Sequence, residues 1–291
     1  MVAKYINPYT DFGFKKLFGE EASKPLLMDF LNSMLPEYHQ IKTLSFHNTE
    51  QLGASDDDRK AIYDIYCENE LGEKFIIELQ KVRQKHFKER TLYYTTYPIR
   101  EQGEKGDWNY SLKAVYCIAV LNFTFDDFLA APACHEVVHT VQLKDQNNRV
   151  FYDKLTFIYL EMPNFDKKEH ELKTQLDKWL YFIKNLEDIQ QIPHIFNDDV
   201  FTKAFATAEL AKLDRGNRTQ YEHSLKQYRD LQSAMETYRE EGRAEGIEAG
   251  IEIGIEQNKR AIAKQLKMMG LSVEQIQQAT GLSSTEIEQI K

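Results

Sequence analysis

Residues 61–80 read AIYDIYCENELGEKFIIELQ, and this stretch of the chain predicts a β-hairpin. Two runs rich in β-branched and aromatic residues flank the turn signal Asn69-Glu70-Leu71-Gly72. In an antiparallel hairpin centred on that turn, the numbers of opposed residues sum to about 141 or 142. The sequence therefore places Asp64 opposite Glu78, or one residue away from it.

Two facing carboxylates need an explanation, because they lie within apolar strands. The Cβ atoms of an opposed pair are roughly 5 Å apart, and like charges at that spacing destabilise a hairpin. A bound divalent cation removes the conflict. Carboxylate oxygens suit magnesium or manganese, which often complete their ligand shell with substrate phosphates. The pair Asp64 and Glu78 thus indicates phosphodiester cleavage, and the alternative is a surface hairpin with polar residues at alternate positions.

Gln80 and Leu79 extend this candidate site. Gln80 follows Glu78 by two residues, so both side chains project from the same face of the strand. The side chain of Leu79 points to the other face, which leaves its backbone carbonyl near the carboxylates as a further metal ligand. The resulting pattern is an aspartate followed by Glu-x-Gln.

A basic segment follows the hairpin directly. Residues 81–90 carry five lysines and arginines against one glutamate. On a helix, Lys81 and Lys85 share a face with Lys88. We interpret Lys81, Lys85 and Arg90 as candidate contacts to DNA phosphates. The alternative is a solvated helix face.

The remaining patterns of the first half predict helices and strands in mixed order. Thr10 or Asp11 can cap a first helix. Further strands are expected at 41–49, 113–123, 137–144 and 155–160, and an acidic solvated loop at 55–58. Strands interspersed with helices imply an α/β core with a mixed sheet.

Several motifs together resemble one protein family. They are Asn7–Gly19 (NPYTDFGFKKLFG), Asp64, Ile76–Gln80 (IIELQ), Arg90–Tyr94 (RTLYY), Tyr116–Val120 (YCIAV) and the glycine repeat near residue 250. On these residues the chain resembles the Rpn group of recombination-promoting nucleases and transposases, within the PD-(D/E)XK nuclease superfamily. The motifs extend over most of the chain.

The resemblance implies a restriction-endonuclease-like α/β fold, in which a mixed β-sheet is flanked by helices and followed by a helical C-terminal extension. It implies a magnesium-dependent DNA endonuclease with Asp64 and Glu78 as metal ligands. It also implies that Asp11 is an acidic partner carried on a helix, although a helix cap alone would account for this residue. Two positions depart from the superfamily pattern, since Tyr63 replaces a proline and Gln80 replaces a lysine. Glutamine can orient a water or a phosphate oxygen, but it carries no positive charge.

Composition sets further bounds on the function. The chain has 291 residues, of which 42% are hydrophobic, so it can bury a substantial core. We predict a nuclease-like core at 1–165, a helical region at 166–240 and a helical tail at 241–291. A net charge of −9 argues against a protein that coats DNA indiscriminately. No apolar run approaches the roughly 20 residues of a membrane span, so we expect a cytoplasmic protein without membrane contact.

The tail contains an internal repeat. Gly242, Gly246, Gly250 and Gly254 recur every four residues, and isoleucine directly follows three of them. Each interior glycine costs a helix about 0.5–1 kcal/mol relative to alanine, so this helix needs a partner or frays. A homo-dimer through the helix and a weak helical linker are both open. Residues 266–290 resemble a helix-turn-helix, in which Ser272 and Ser283 are good helix caps and Gly270 and Gly281 suit helix ends. Their glutamates lack matching bases, which favours a small packing or dimerisation element over a DNA reader.

Three functions of different classes are consistent with these patterns. The first is a metal-dependent DNA endonuclease associated with recombination or mobile elements, in which Asp64, Glu78 and Leu79 bind Mg²⁺ or Mn²⁺ and Gln80 positions a water. The second is a catalytically weakened DNA-binding or recombination accessory protein. The third is an oligomeric interaction protein. Only the first of these needs the carboxylate of Asp64.

Overall fold

The computed structural model describes residues 3–51, 61–103, 106–125 and 136–290 of the chain. The chain divides into two compact units, Met1–Lys226 and Gln227–Lys291. The acidic loop expected at 55–58 lies outside the described residues. No helix in the described ranges is long and apolar enough to cross a membrane.

The first unit is built on a six-stranded mixed sheet. Its strands are β1 (Leu44–Phe46), β4 (Ile65–Asn69), β5 (Lys74–Gln80), β6 (Val115–Leu121), β7 (Val138–Lys144) and β8 (Val150–Glu161), in the spatial order β1-β4-β5-β6-β8-β7. The pairs β5–β6 and β6–β8 are parallel, and the other pairs are antiparallel. A separate two-stranded pair consists of β2 (Glu50–Gln51) and β3 (Ala61–Ile62). The predicted α/β core with a mixed sheet is confirmed.

Helices flank this sheet. They are α1 (Asp11–Phe18), α2 (Lys24–Asn32), α3 (Phe87–Glu101), α4 (Gln175–Asn185), α5 (Asp199–Ala208) and the first turns of α6 (Arg215–Met268). Helix α3 connects the parallel strands β5 and β6, as parallel pairing requires a crossover rather than a tight turn.

The β4–β5 hairpin forms in the predicted register. Ile65 pairs with Ile77, so the numbers of paired residues sum to 142. In the turn, Gly72 has a backbone φ of +78°, a conformation in which glycine carries no steric penalty. The side chain of Asn69 accepts hydrogen bonds from two backbone amides of the same turn. The turn signal read from the sequence is therefore confirmed.

Helix α3 covers one face of the sheet. Phe87 of α3 packs in one buried cluster with Ile76 of β5, Cys117 of β6 and Tyr159 of β8. A hydrogen bond of 2.8 Å joins the hydroxyls of Thr91 and Tyr159 within this layer. These contacts fix the helix across three adjacent strands.

The helices α1, α2, α4 and α5 share an aromatic core. The ring of Trp179 in α4 is fully buried, with ring centroids 5.5 Å from Phe18 and 4.6 Å from Phe201. Its indole Nε1 donates a hydrogen bond of 2.6 Å to Oδ1 of Asp29 in α2. One residue thus connects all four helices.

The second unit has a small helical core of its own. The last turns of α6 pack there with α7 (Val273–Thr280) and α8 (Ser284–Gln289). The buried residues are Ala263, Ile276, Leu282 and Ile287. Ser272 and Ser283 form the capping boxes of the two short helices, and Gly281 ends α7 with a positive φ. The helix starts and stops read from the sequence are confirmed.

The first predicted strand is shorter than expected. Only β1 is a strand within 41–49. The backbone amides of Ile41 and Thr43 donate instead to the side chains of Asn32 and Glu70. Side-chain acceptors have taken the place of a neighbouring strand there.

The helix predicted for the basic segment begins later than expected. The residues between β5 and α3 form an irregular loop, and the Gln80 side chain holds it by donating a hydrogen bond of 2.6 Å to a backbone carbonyl of the loop. Lys81 and Lys85 therefore lie before the helix. The predicted helix face that they share with Lys88 is wrong.

We predict that Trp179→Ala lowers the free energy of unfolding by about 3–5 kcal/mol, because a large buried ring is lost and the core cannot close the cavity. Trp179→Phe keeps an aromatic ring and loses mainly the hydrogen bond to Asp29, so we expect a smaller loss of about 1–2 kcal/mol. Urea unfolding followed by circular dichroism measures both variants. An alanine variant as stable as the wild type would contradict the central position of this ring.

Candidate active site

The two hairpin carboxylates meet at the end of the β4–β5 pair. Asp64 lies at a bend just before β4, and one further step of the register places it opposite Glu78. Oδ2 of Asp64 accepts a hydrogen bond of 2.7 Å from the backbone amide of Leu79. The Asp64 carboxylate therefore fixes the backbone of the opposite strand.

Glu78 is deeply buried. Its exposed fraction is 6%, and its register partner on β6 is the small residue Ala119. Burial, and then the nearby charge of Asp64, raise the pKa of Glu78 well above its ordinary value of 4.5. Its Oε1 has no hydrogen-bond partner in the part of the chain that the structure describes. A bound water, a bound ion or a catalytic role would account for a buried acceptor in this state.

Asp64 lies at the wall of a cleft of about 260 Å³, which Lys15 and His47 also line. Burial raises the pKa of Asp64. The hydrogen bond from Leu79 lowers this pKa, and the negative charge of Asp11 raises it again, with a net upward shift. Both carboxylates of the hairpin are thus less acidic than usual, for the same main reason.

The third acidic residue, Asp11, is carried on α1. Thr10 caps α1 by accepting a hydrogen bond from the amide of Gly13, and Asp11 is the first helical residue rather than the cap. Asp11 is exposed and forms an ion pair of 3.0 Å with Lys15. Among the described residues, no three His, Cys, Asp or Glu side chains are grouped as metal ligands. In this arrangement Asp11 acts on Asp64 through its charge.

Gln80 is held at both ends of its side-chain amide. Its Nε2 donates to the carbonyl of Val82, and its Oε1 accepts a hydrogen bond from Arg90 of α3. Arg90 also donates to the side chain of Gln84 in the loop. The amide of Gln80 therefore links the end of β5 to α3. Its predicted role in positioning a water stays a prediction.

The predicted phosphate contacts occupy three different environments. Lys81 is half-buried. Burial lowers its pKa, and the negative charges of Asp11 and Asp64 raise it by less than burial lowers it. Lys85 is exposed in the loop before α3. Arg90 is half-buried and directed at side chains of the protein. Lys81 thus belongs to the electrostatic surroundings of the carboxylates, whereas Lys85 faces solvent.

Two side chains near the carboxylates have no counterpart among the predicted site residues. Lys15 acts on the pKa of both carboxylates from α1, and the sequence does hold a signal for it, since it follows Asp11 by one helical turn. Tyr94 of α3 has a pKa raised by burial and then by the charge of Glu78. Its place near the site depends on how α3 packs across the sheet, which no local pattern encodes.

The donor set fits a hard divalent cation. Magnesium in enzymes is typically bound by one or two carboxylates, and waters and substrate phosphates complete its shell. Asp64 and Glu78 supply those carboxylates. The amide and carbonyl of one strand residue point to the same side, so the Leu79 carbonyl points to the side from which its amide reaches Asp64. A cation would also relieve the repulsion that raises the pKa of Glu78.

A family model described as PD-(D/E)XK nuclease family transposase matches residues 8–238 of the chain. The matched range contains every strand of the six-stranded sheet and all the predicted site residues. Comparison with curated proteins and with solved structures gives no match.

We predict that Glu78→Gln raises the melting temperature in metal-free buffer at neutral pH, because it removes a buried charge and keeps the shape of the side chain. The folded-state pKa of Glu78 is raised, so its ionisation destabilises the fold as the pH rises above the ordinary value of 4.5. The gain over the wild type should therefore be largest near neutral pH and shrink toward pH 4.5. Thermal denaturation of the variant and the wild type between pH 4.5 and neutral pH measures this gain.

The matched control is Glu68→Gln in the same hairpin. Burial tends to raise the pKa of Glu68, but the hydrogen bonds and positive charges of Lys74 and His47 together outweigh this effect and lower the pKa. Loss of the Glu68 charge should reduce the melting temperature at neutral pH, and this reduction should become smaller as the pH falls. Equal changes in both variants would show that the Glu78 effect is not due to burial of its charge.

Proposed function

The chain belongs to the PD-(D/E)XK nuclease family transposases, and from this premise we propose that it is a metal-dependent DNA endonuclease that hydrolyses phosphodiester bonds in recombination or at mobile elements. Nucleases of this superfamily generally use divalent metal ions. The observation that carries the proposal is the pair Asp64 and Glu78. Both carboxylates have raised pKa values, and one oxygen of Glu78 is buried without a hydrogen-bond partner among the described residues.

We assign the carboxylates of Asp64 and Glu78 and the carbonyl of Leu79 to the metal ion. Bound Mg²⁺, or Mn²⁺ in its place, would lower the pKa of a water and withdraw charge from the phosphate. Gln80 projects from the same face of β5 as Glu78, and its fixed amide can orient the attacking water. Asp11 adds negative charge beside Asp64, which strengthens the attraction for a cation.

We assign the DNA phosphates to the loop that follows β5. The charge of Asp64 acts on Lys81, and Lys85 is exposed four residues further along the loop. Few phosphate contacts combined with a net charge of −9 give weak non-specific affinity. Binding of DNA should therefore depend on the metal site and on low salt.

The second candidate function is a catalytically weakened DNA-binding or recombination accessory protein. One observation favours it: the residue at the superfamily's lysine position is Gln80, and its amide is occupied by Val82 and Arg90. A glutamine held in this way cannot donate a proton to a leaving group. Cleavage by the wild type decides between the two functions.

We predict that Asp64→Asn and Glu78→Gln each reduce magnesium-dependent nicking of supercoiled plasmid by at least about 100-fold, because each removes one charged ligand. Asparagine at position 64 still offers an oxygen to the Leu79 amide, so the hairpin should keep its fold. Circular dichroism and a nicking time course measure both effects.

Asp145→Asn provides the matched control, because Asp145 lies in the β7–β8 turn and pairs with Arg149 rather than with the site. It should leave the nicking rate unchanged. Wild-type rates in the Asp64 variant would refute the site assignment. A wild type that binds DNA but never nicks it, with either Mg²⁺ or Mn²⁺, would favour the accessory function.

We propose in addition that the protein forms a homo-dimer through α6. Its isoleucines Ile247, Ile251 and Ile255 are 53–57% exposed, which is unusual for residues of this type on a stable helix. A Cβ atom added at Gly246 or Gly250 would meet nothing within 4 Å, so a second helix can approach the backbone closely. A copy of the same helix is the simplest partner for this surface.

We predict that truncation after Met235 leaves a folded first unit of lower oligomeric state. The shortened chain keeps Tyr221 and Ser224, which accept hydrogen bonds of 3.0 and 3.2 Å from the amides of Asn7 and Phe12. Light scattering gives the mass of both chains, and circular dichroism checks the fold. An unchanged mass would mean that the repeat is a linker.

A further inference from the structure

Arg90 brings a positive charge to Gln80, the position at which the superfamily pattern has a lysine. We propose that Arg90 is a positioning residue of the candidate site, which supplies from α3 the charge that Gln80 lacks and holds the Gln80 amide in one orientation. This inference rests on the proposed function. It differs from the phosphate contact that the sequence predicts for the same residue.

The hydrogen bonds of Arg90 are the first support. Its Nη2 donates to Oε1 of Gln80, and its Nη1 donates to Oε1 of Gln84. The two nitrogens of one planar guanidinium thus hold the strand end and the loop together. Because Oε1 of Gln80 faces a cation, the amide has one preferred orientation, with Nε2 directed at Val82.

The surroundings of Arg90 fix its direction. Its Cζ lies 5.0 Å from the ring centroid of Phe87 and 5.6 Å from that of Tyr94, so two aromatic rings of its own helix flank the guanidinium. Its Nε is buried and has no hydrogen-bond partner within the described ranges. A side chain that is available to bind a DNA phosphate would not be enclosed in this way.

The charge of Arg90 also reaches Glu78. The guanidinium of Arg90 is close enough to attract the Glu78 carboxylate electrostatically. Among the described residues Arg90 and Glu78 form no direct ion pair, and the Nη donors of Arg90 bind Gln80 and Gln84 instead. Arg90 can therefore stabilise the Glu78 carboxylate while Oε1 of Glu78 stays without a hydrogen-bond partner in the described structure.

Manganese binding and DNA cleavage should respond to Arg90→Gln in opposite directions. Loss of a positive charge near Glu78 should tighten Mn²⁺ binding, measured by titration calorimetry, on the order of tenfold. The cleavage rate should fall at least tenfold, while the KM for DNA changes less than twofold, because Arg90 does not touch phosphate. A merely structural defect would weaken both metal binding and cleavage, and a phosphate contact would raise KM instead.

Arg100→Gln is the matched control, since it removes the same charge from the same helix next to Tyr97 rather than Gln80. This variant should change neither the affinity for Mn²⁺ nor the rate of DNA cleavage. The double variant Gln80→Lys with Arg90→Gln moves the charge onto position 80, and it should regain cleavage relative to Arg90→Gln alone. Failure to regain it, or weaker Mn²⁺ binding by Arg90→Gln, overturns the inference.

The two proposals fail in different ways. A wild type without metal-dependent cleavage defeats the proposed function, and the Mn²⁺ titrations then decide the inference alone. A wild type that cleaves DNA while Arg90→Gln leaves both Mn²⁺ affinity and rate unchanged defeats only the inference. Circular dichroism of each variant confirms that the fold is retained.

Discussion

At the end of the β4–β5 hairpin the half-buried Asp64 faces the buried Glu78, and the Asp64 carboxylate accepts a hydrogen bond from the Leu79 amide across the pair. This hydrogen bond extends the register one step beyond the regular strand, to Asp64 opposite Glu78. A slip of one residue would turn Glu78 and Gln80 to the opposite face of the sheet. The stability of the register and the integrity of the site are therefore one constraint.

The parallel pairing of β5 and β6 determines what lies over that site. A parallel neighbour requires a crossover connection, and α3 provides it by starting close to the point where β5 ends. Its first turns consequently cover the end of β5, where Arg90 meets Gln80. On the strand side, the register partner of Glu78 is the small, fully buried residue Ala119 of β6. One hairpin and one crossover thus assemble the site, and the remaining helices support the sheet.

Local patterns predicted the parts of this structure that depend on near neighbours in the chain. The hairpin, its register and the caps at Ser272 and Ser283 follow from alternation, turn residues and capping chemistry within a few positions. The loop before α3 was read as helix, because its lysines have helical spacing and the hydrogen bond from Gln80 to a loop carbonyl is invisible in the sequence. The direction of Arg90 likewise depends on tertiary packing. Whether Asp11 serves the metal stays a prediction.

The net charge of the chain constrains the function less than the distribution of charge along the chain does. Residues 245–256 contain four glutamates and no lysine or arginine, whereas residues 81–90 contain five bases and one acid. Exposed charges separated by more than about 10 Å are largely screened at ordinary salt, so each segment acts on a ligand mainly through its own surroundings. The overall value of −9 argues against indiscriminate coating of DNA. It is compatible with a local contact to DNA at the basic loop, because Lys81 lies within the field of Asp64 in a segment that is itself positively charged.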